Sequence, residues 1–399
     1  MVLLWAALET SERYEITFSY RSTERYEKEM DSFAPSGLIR MPIRLTPSHR
    51  ATARDANEGS GPARAGFVSQ ARSGMDLLMR YPRFCQDVAR LVRVFRQVRP
   101  DIVHLNNGGF PGARSVRAGA VAARLSGCPT VIMAVNNTAI RYSTIGRRCD
   151  YPADLLTRWA TDMFVTASKQ ARMALIDVLG LEESHVTQIP NAVRDPRELA
   201  GLDEGPRPDL PGAITIIMVA GLEARKGHIT LLQALEQLKA SGDLSEPAVQ
   251  VWLVGEGPER AALESRVLDS GLEHVVQFLG YRYDYLRLIS RSNIMVLSSV
   301  DLEDSPLATI EGMSLAIPVI ASDVAGLGEQ IVDGETGYLV PPRNPSALAD
   351  RIRLLLHDAT ARKTMGEAGR RRFLAEYQPT AFVRRYLDLY DRCSHSGIR

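Results

Sequence analysis

Hydrophobic residues in the second half of the chain recur in short runs, and segments of helical periodicity separate these runs. Six runs have the length of a β-strand: 214–219, 251–257, 275–281, 293–298, 317–322 and 339–342. After the first run, Leu232, Leu235 and Leu238 recur at the spacing of one helix face. Apolar runs that alternate with helices are typical of a doubly wound parallel sheet. The pattern therefore predicts an α/β domain here.

The first half of the chain shows the same alternation less densely. Strands are predicted over 15–20, 101–105 and 130–135. A helix is predicted over about 83–99, where Leu91 and Phe95 lie on the apolar side. Another helix, with one apolar side, is predicted over about 380–390 at the end of the chain. The first half is thus also α/β in character.

Length and composition fit two globular domains. With 399 residues, of which 45% are hydrophobic and 24% charged, the chain can bury two cores. Prolines concentrate in residues 196–212, so we predict a linker there. This linker separates a first domain, 1–195, from a second domain, 213–379. Residues 380–399 carry the last helix, which is expected to return to the first domain.

Charge is shared unevenly between the two halves. The net charge of +1 argues against a nucleic-acid partner. Residues 1–195 carry 26 Lys and Arg against 19 Asp and Glu, a net +7. Residues 196–399 carry 22 against 28, a net −6. The positive first half is therefore the candidate side for an anionic partner or acceptor.

Three arginines mark the predicted helix at 83–99. Arg90, Arg93 and Arg96 follow one another at three-residue steps. Such a face can approach anionic lipid or a lipid-phosphate acceptor, or it is an ordinary solvated helix face. We hypothesise that the first domain touches an anionic membrane surface transiently.

Other sequence signals predict a cytoplasmic location, peripheral to the inner membrane face at most. The longest apolar runs fall short of the ~18 residues that a membrane-spanning helix needs. Residues 1–8 have no basic segment before their apolar run, so no signal peptide is predicted. The four cysteines lie far apart, without the spacing of a metal site or a disulfide framework.

Two glutamates, Glu303 and Glu311, stand eight positions apart around the predicted start of a helix. The strand at 293–298 precedes them, and the apolar pattern at 307–315 fits that helix. This spacing can place one carboxylate in the loop and the other on the helix, both facing one ligand. Carboxylates accept hydrogen bonds only, so both suit hydroxyl-rich partners such as ribose or hexose. The alternative is two exposed acids that favour the positive end of the helix dipole.

The start of this helix is a candidate anion site. Ser305 is predicted as the N-cap and Pro306 as the first helical residue. The amides of Leu307 and Ala308 would then point out of the helix, where the macrodipole places roughly +0.5 charge. Such an end suits a diphosphate.

A lysine lies on the turn after the strand at 214–219. Lys226 follows Gly221 in a glycine-containing turn that leads into the helix at 229–238. A lysine on such a turn is placed to meet a phosphate as a point charge. Two further strands of this half end in glycine, at Gly255 and Gly280.

Taken in order, these segments resemble the nucleotide-sugar domain of glycosyltransferase family 4. The resemblance is dense from about residue 186 to about residue 377, and the segments 101–104 and 189–193 also fit it. It implies the GT-B architecture, in which two Rossmann-like, doubly wound parallel-sheet domains face each other across a cleft.

The resemblance also implies roles for individual residues. Lys226 matches the phosphate-binding lysine and Glu303 the acid that holds the donor-sugar hydroxyls, so these two are the candidate catalytic residues. Glu311 matches the ribose-binding acid. The candidate donor-binding residues are Gly221, Arg225, Gly255, Tyr281, Arg282, Ser305, Leu307, Ala308 and Glu311.

This chain departs from the family pattern in the donor turn. Family members commonly have Gly-Arg-Leu where this chain has Ala220-Gly221-Leu222, so the arginine that shares the diphosphate charge is missing. Arg225 either takes over this charge or is a solvated arginine on the turn. A lost charge-assisted hydrogen bond amounts to roughly 1.5 to 3 kcal/mol.

The first domain shows further departures. Where many members have an active-site histidine, this chain has Asn136 and Asn137, which cannot act as a base at neutral pH. His104 lies within a predicted strand and is expected in the core or at the end of that strand. Residues 2–8 predict a helix where the family has a first strand and a glycine-rich loop, so the start is truncated or unusual. The candidate acceptor-side residues are Asn107, Gly108, Gly109, Asn136 and Asn137.

The resemblance implies retaining transfer of a hexose from a UDP- or GDP-sugar to a hydroxyl of a glycan, lipid-linked or small-molecule acceptor. The nucleotide sugar is a co-substrate, and no cofactor or metal ion is expected. The alternative is a scaffold protein of the same fold that binds sugar nucleotides without turnover, which the departures favour. An epimerase lacks a base candidate, and a phosphorylase lacks a lysine-anchored cofactor segment.

Overall fold

The computed structural model describes residues 15–21, 39–43, 45, 80–107, 110–198, 213–245, 248–301 and 303–395. The chain divides into two compact units. Unit 1 comprises Met1–Val165, Ala174–Thr187 and Arg385–Arg399, and unit 2 comprises Thr166–Met173 and Gln188–Arg384. Two of the predictions, the helix at 2–8 and most of the linker at 196–212, lie outside the described residues.

Unit 1 contains strands and helices in alternation. A parallel pair is formed by β1 (Thr17–Arg21) and β2 (Ile39–Ile43). A second sheet has the order β3-β4-β5-β6, with β3 (Ile102–Asn107), β4 (Thr130–Val135), β5 (Met163–Thr166) and β6 (Val186–Gln188). The helices are α1 (Arg80–Val98), α2 (Arg114–Leu125), α3 (Ile145–Arg148), α4 (Tyr151–Ala160) and α5 (Lys169–Leu179). The first five residues of α5, Lys169–Met173, belong to unit 2.

The core of unit 1 lies around β4, whose six residues are all buried. Helix α2 packs on the sheet through a run of small residues that includes Ala118, Ala120 and Ala122. Small side chains let its backbone approach the strands closely. Helix α1 contributes Phe84 and Leu91 to the same core, as its apolar periodicity predicts.

Unit 2 is built on a six-stranded parallel sheet in the described chain, with the order β12-β11-β10-β7-β8-β9. Its strands are β7 (Ile214–Val219), β8 (Val249–Val254), β9 (Val276–Gly280), β10 (Ile294–Leu297), β11 (Val319–Ser322) and β12 (Gly337–Val340). The intervening helices are α6 (His228–Ala240), α7 (Arg260–Asp269), α8 (Tyr285–Ser290), α9 (Leu307–Ser314), α10 (Leu327–Gln330), α11 (Pro345–His357) and α12 (Ala359–Glu376).

Helices cover both faces of this sheet, and the side chains of β8 show it. Val251 and Leu253 belong to a core that includes α6 and α11, whereas Trp252 and Val254 belong to a core that includes α9 and α12. Successive residues of a strand point to opposite faces. A strand that is buried on both faces reads as a continuous apolar run, which is why the sequence pattern predicts this sheet.

Within the described residues the predicted strands and helices of both units are confirmed, but one helix start is wrong. Helix α9 begins at Leu307, and Pro306 is its N-cap, in an extended conformation with ψ 132°. Ser305 therefore precedes the N-cap. The fixed φ of proline, here −64°, is compatible with both positions, so the sequence did not distinguish them.

The last helix, α13 (Pro379–His395), begins in unit 2 and ends in unit 1. Within unit 1, the Tyr390 hydroxyl lies 2.6 Å from His104 Nδ1. Burial lowers the pKa of His104 to about 4, so the imidazole is neutral at physiological pH. His104 lies within β3 as predicted, and the residue as a whole is half-buried. Of the helices that the structure describes, none combines the length and apolarity needed to cross a bilayer.

Candidate functional site

The candidate residues of unit 2 gather at the carboxyl ends of the parallel strands. The chain order reverses between β10 and β7, which are neighbours in the sheet. Ligands of open α/β sheets bind in the crevice at such a switch point. The turn after β7 carries Lys226, and the loop after β10 carries Glu303. The topology therefore brings these two loops together.

Hydrogen bonds to two backbone carbonyls fix the turn after β7 against the end of β10. The Ser298 hydroxyl donates to the Gly227 carbonyl at 2.9 Å, and the Val300 amide donates to the Arg225 carbonyl at 2.8 Å. Gly227 has φ 72°, and a Cβ there would collide with the Ser298 carbonyl. Glycine is required at this position, because it alone combines positive φ with so close an approach.

Three donors converge on one carboxylate oxygen at this point. Glu303 is buried, and its Oε1 accepts from Lys226 Nζ, from Arg225 Nη1 at 3.1 Å and from Ser299 Oγ at 3.2 Å. Arg225 also pairs with Glu223 at 2.7 Å. We call Arg225, Lys226 and Glu303 the lysine cluster. Arg225 is thus ion-paired within this cluster, and its side chain remains 40% exposed to solvent.

Glu311 lies on α9, eight positions after Glu303, and is buried. Burial raises the pKa of Glu311, while the hydrogen bond from the Tyr285 hydroxyl, at 2.7 Å to Oε1, opposes this rise. The same burial, with the charge of Glu311, raises the pKa of Tyr285 well above its ordinary value. The sequence did not predict Tyr285 as a site residue. Its position at the start of α8, four residues after Tyr281, was the only available signal.

The start of α9 is held by two side chains from other segments. Gln330 Nε2 donates to Ser305 Oγ at 3.0 Å, and Asn191 Nδ2 donates to the Ser305 carbonyl at 2.9 Å. No side chain caps the helix at Pro306. The helix thus begins at Leu307, which is exposed, followed by the half-buried Ala308.

The glycines after β7 and β8 let their loops approach each other. Gly255 has φ 147°, and a Cβ there would collide with the Ala220 carbonyl and reach 3.5 Å from the Gly221 Cα. Gly221 and Gly255 therefore lie side by side, as expected if one ligand contacts both.

Tyr281 and Arg282 follow β9 at the same edge of the sheet. The Gly255 amide donates to the Gly280 carbonyl at 2.8 Å, so these residues lie next to the β8 loop. Tyr281 is exposed. Arg282 makes two hydrogen bonds of 2.7 Å to Asp284, and these bonds hold the pKa of Asp284 below its usual range.

Two acidic residues near the site were missed by the sequence reasoning. Burial, with the charge of Glu329, raises the pKa of Asp304 to about 6. Glu329 accepts from the amides of Lys169 and Gln170 at 2.8 and 2.9 Å, at the start of α5. The Gly326 amide donates to the Glu303 carbonyl at 2.8 Å. These contacts hold the backbone around Glu303 in place. None of them could be predicted from the sequence, because the partners are far apart along the chain.

The acceptor-side candidates of unit 1 differ in accessibility. Asn107 is buried, and its Oδ1 accepts from the Ala113 amide at 3.0 Å, so its side chain holds its own loop. Asn136 is exposed and donates to Asn106 Oδ1 at 2.8 Å, and Asn137 is also exposed. Gly108 and Gly109 lie outside the described residues.

Unit 1 also contains an ion-paired cluster that the sequence did not predict. Arg117 Nη1 lies 2.9 Å from Asp154 Oδ1 and 3.2 Å from Asp150 Oδ1, and Arg147 Nη1 pairs with Asp154 Oδ2. The Tyr142 hydroxyl donates to Asp154 Oδ2 at 3.0 Å, and burial raises the pKa of Tyr142 to about 12. We call Arg117, Arg147, Asp150 and Asp154 the buried network.

Two family models match the chain. Residues 208–372 match the model described as "Glycosyl transferases group 1", and residues 45–197 match "Glycosyltransferase Family 4". An exopolysaccharide phosphotransferase of Streptomyces coelicolor is 31% identical over 228 residues, 56% of this chain and 23% of that protein. A glycogen synthase of Mycobacterium tuberculosis is 25% identical over 219 residues, 54% of this chain and 51% of its own. The chain thus spans about half or less of the length of these relatives.

The solved structure of HepE from Anabaena in complex with UDP is similar in fold. Its TM-score is 0.72 at 16% identity, and the match covers 98% of this chain and 95% of HepE. A second structure of HepE, in complex with UDP-glucose, gives a TM-score of 0.70 at 16% identity and covers 98% of this chain and 94% of HepE. At this level of identity the likeness establishes the fold alone.

Proposed function

The chain belongs to the GT4-type glycosyltransferases with the GT-B fold, and we propose that it transfers a hexose from a nucleoside diphosphate sugar to an acceptor hydroxyl with retention of configuration. One observation carries this proposal. The lysine cluster, with Glu303 buried and contacted by Lys226 and Arg225, lies at the switch point of the unit 2 sheet and precedes the start of α9. Cations and a helix start at one crevice suit a diphosphate.

The donor is a UDP- or GDP-sugar. HepE, which shares the fold, has been solved with UDP and with UDP-glucose, and this supports a uridine donor without excluding guanosine. Glu311, positioned by Tyr285, binds the ribose hydroxyls. Tyr281 and Arg282, next to the β8 loop, contact the base. Glu311 accepts one hydrogen bond from Tyr285, and a carboxylate can accept further hydrogen bonds from the ribose hydroxyls.

The reaction needs electrostatic stabilisation more than a protein base. The bond between the anomeric carbon and the diphosphate oxygen breaks, and the acceptor oxygen bonds to the same face of that carbon. The acceptor proton passes to an oxygen of the leaving diphosphate. Lys226 and the amides of Leu307 and Ala308 stabilise the negative charge that develops on the diphosphate, while Glu303 orients the hexose hydroxyls.

Arg225 takes the place of the arginine that is missing at Gly221. In the structure it lies 3.1 Å from Glu303 Oε1, within the lysine cluster, and its side chain is partly exposed toward solvent. A guanidinium there can reach both the carboxylate and a phosphate, because its donors form a fork. The expected contribution of one such charge-assisted contact is roughly 1.5 to 3 kcal/mol.

The acceptor is a hydroxyl of a glycan, a lipid-linked molecule or a small molecule. The exposed carboxamides of Asn136 and Asn137, at the carboxyl end of β4, are the candidates for its recognition. A carboxamide can donate and accept hydrogen bonds, which suits sugar hydroxyls. The cytoplasmic location stays a prediction.

A thermal-shift panel of UDP- and GDP-sugars tests the proposal. A ligand at about 100 times its Kd stabilises the folded state by about 2.7 kcal/mol, which raises the Tm by several degrees. The donor that gives the shift is then incubated with an acceptor panel, and NMR reads the anomeric configuration of the product. A retained product supports the proposal, and an inverted product contradicts the mechanism.

Two other outcomes separate the alternatives. A thermal shift without release of nucleoside diphosphate, across donors and acceptors, identifies a scaffold that binds the donor without turnover. No shift with any sugar nucleotide contradicts donor binding itself. Lys239→Ala serves as the control variant, because Lys239 donates to the carbonyls of Ser270 and Gly271, away from the lysine cluster, and must keep the shift.

A further inference from the structure

Helix α4 of unit 1 turns its apolar side chains outward. Its exposed side chains include Tyr151, Leu155, Leu156 and Trp159, and Pro152 is exposed among them. Trp159 is 56% exposed and Leu155 is 42% exposed. Positions 151, 155 and 159 follow one another at four-residue steps, so these side chains form one stripe along the helix. We call the five residues the α4 face.

The opposite side of α4 contains the small and polar residues. Its buried residues are Ala153, Asp154, Thr157 and Ala160. In a helix packed on a hydrophobic core, the apolar side normally faces inward. The arrangement in α4 is the reverse of this rule.

The buried network fixes this orientation. Asp154 is fully buried and pairs with Arg117 and Arg147, so α4 cannot rotate its apolar side inward without removing this carboxylate from its partners. Arg80 adds a further contact, because its Nη1 donates to the Gly146 carbonyl and to Asp150 Oδ1, both at 2.9 Å. Removing one partner of a buried ion pair is strongly unfavourable. The outward α4 face is therefore a stable feature of the folded unit.

Within residues 140–160, every exposed charged side chain is an arginine. In residues 140–160 the two acids, Asp150 and Asp154, are buried, whereas Arg141, Arg148 and Arg158 are exposed. Arg141 pairs with the exposed Asp177. Ile145 in α3 is 78% exposed and extends the apolar area toward these arginines. The segment thus presents apolar and cationic groups to the solvent.

We propose that the α4 face docks on an anionic lipid surface. A helix with Trp, Tyr and Leu on one side and arginines beside it suits the boundary between head groups and acyl chains, where aromatic rings and cations both find partners. A second copy of the chain fits less well. In a two-fold pairing of α4 faces, Arg148 and Arg158 would approach arginines of the other copy, and like charges would oppose the contact. Charge complementarity therefore selects an anionic surface.

This assignment differs from the one predicted on α1. Arg90, Arg93 and Arg96 are exposed on α1, but its apolar residues Leu91 and Phe95 face the core. The exposed large apolar residues of α1 are Tyr81 and Val98, at its two ends and each 36% exposed, whereas α4 combines a continuous apolar stripe with neighbouring arginines. Stable interfacial binding scales with buried apolar area as well as with electrostatic attraction. The docking goes beyond the proposed function, because it concerns where the chain acts and not what it transfers.

Vesicle co-sedimentation with the full chain tests the proposal. Wild-type protein is expected to bind vesicles of phosphatidylglycerol and phosphatidylcholine, more weakly at high salt, and to bind pure phosphatidylcholine poorly. The double variant Leu155→Glu, Trp159→Glu is expected to lose about 100-fold in affinity for the anionic vesicles, because it replaces apolar area with negative charge. Arg148→Gln is expected to lose about fivefold.

Controls separate docking from folding. Leu268→Glu changes a leucine of unit 2 that is 66% exposed, outside the α4 face, and should bind vesicles like the wild type. All variants should keep the wild-type Tm. The sequence has a third tryptophan, Trp5, so the quenching experiment uses a Trp5→Phe background. There, quenching by brominated lipids should report Trp159 and disappear on Trp159→Phe, which still binds the vesicles, since Trp252 is fully buried.

Three results would overturn the proposal. Wild-type protein that stays in solution with anionic vesicles at low salt contradicts docking. If the double variant binds the vesicles as well as the wild type, the α4 face is not the docking surface. A wild-type dimer in sedimentation equilibrium that the double variant loses, without vesicle binding in either, assigns the face to a second copy. The sugar-nucleotide thermal shift is independent of these readouts, so failure of the donor site and failure of docking are distinguishable.

Discussion

Unit 1 and unit 2 each contain an ion-paired cluster, and the two clusters differ in what surrounds them. In the buried network, two arginines and two aspartates face each other, and Asp154 is fully buried. In the lysine cluster, two cations converge on Glu303, while Lys226 and Arg225 keep partial access to solvent. The buried network balances two arginines with two aspartates. The lysine cluster lies instead at the carboxyl ends of parallel strands.

This difference shows that burial and ion pairing alone do not identify a site. The buried network fixes helix α4 against helix α2, which is a structural task. The lysine cluster lies where the chain order of a parallel sheet reverses, and such a crevice is open to ligands. Removing a charge should therefore reduce stability in the first cluster and turnover in the second.

The largest effect is expected in the buried network. Asp154→Ala removes the closer of the two carboxylates that Arg117 and Arg147 share and leaves both arginines with Asp150 alone. Breaking a buried pair costs about 3–5 kcal/mol. Thermal or urea unfolding measures this loss. Asp177→Ala, which removes an exposed pair with Arg141, is the matched control and should change stability by about 1 kcal/mol or less. Equal effects in the two variants would argue against a stabilising network.

A buried acid near the lysine cluster should behave differently with pH. The folded-state pKa of Asp304 is raised to about 6, so its protonated form is favoured in the native state. Stability from this group is fully present below the unfolded pKa of about 3.9 and is lost as the pH rises through about 6. Wild type should lose up to about 3 kcal/mol between these limits relative to Asp304→Asn. Parallel pH profiles of the two proteins would contradict the shift.

Turnover should depend strongly on the lysine cluster. Lys226→Ala removes a cation from the proposed diphosphate site, and losing one preorganised electrostatic contact lowers kcat by about 100-fold. The same loss is expected for Glu303→Ala, which removes the group that orients the hexose. Steady-state kinetics with the donor found in the thermal-shift panel measures both. Near-wild-type kcat in Lys226→Ala would contradict the assignment of Lys226 to the diphosphate site. The control variant Lys239→Ala should keep the wild-type kcat.

Donor affinity should respond more moderately to changes at Glu311. Glu311→Ala removes the proposed ribose contact, which is made equally in the ground state and the transition state, so the donor KM should rise about tenfold with kcat little changed. Tyr285→Phe keeps the carboxylate but removes the 2.7 Å hydrogen bond that positions it, and about a threefold rise is expected. A fall in kcat at constant KM would indicate that Glu311 acts in catalysis and not in donor binding.

The sequence predicted the sheet of unit 2 and the two glutamates because both depend on local patterns. Continuous apolar runs mark strands that are buried on both faces, and β4 in unit 1 agrees with its predicted range of 130–135. Glu303 and Glu311 are fixed by one strand-to-helix connection. The N-cap at Ser305 was wrong by one residue, since the φ of proline does not separate the N-cap from the first helical position.

The remaining features depend on contacts between distant segments. Asp154 pairs with Arg117, which lies 37 positions earlier in the chain. Glu329 accepts a hydrogen bond from the amide of Lys169, which lies 160 positions earlier. No periodicity signals such pairs. Helix α4 is the clearest case, because the apolar spacing of Tyr151, Leu155 and Trp159 would place that side in the core by the usual rule. The buried partners of Asp154 decide the orientation instead.

Calorimetric titration of UDP and GDP is the sharpest test of a diphosphate site at the lysine cluster. At least one of these nucleotides should bind wild-type protein, and Lys226→Ala should weaken this binding by about tenfold or more, because a charge-assisted phosphate contact is lost. Absence of binding by both nucleotides, or equal affinity in the wild type and in Lys226→Ala, would contradict a diphosphate site at the lysine cluster.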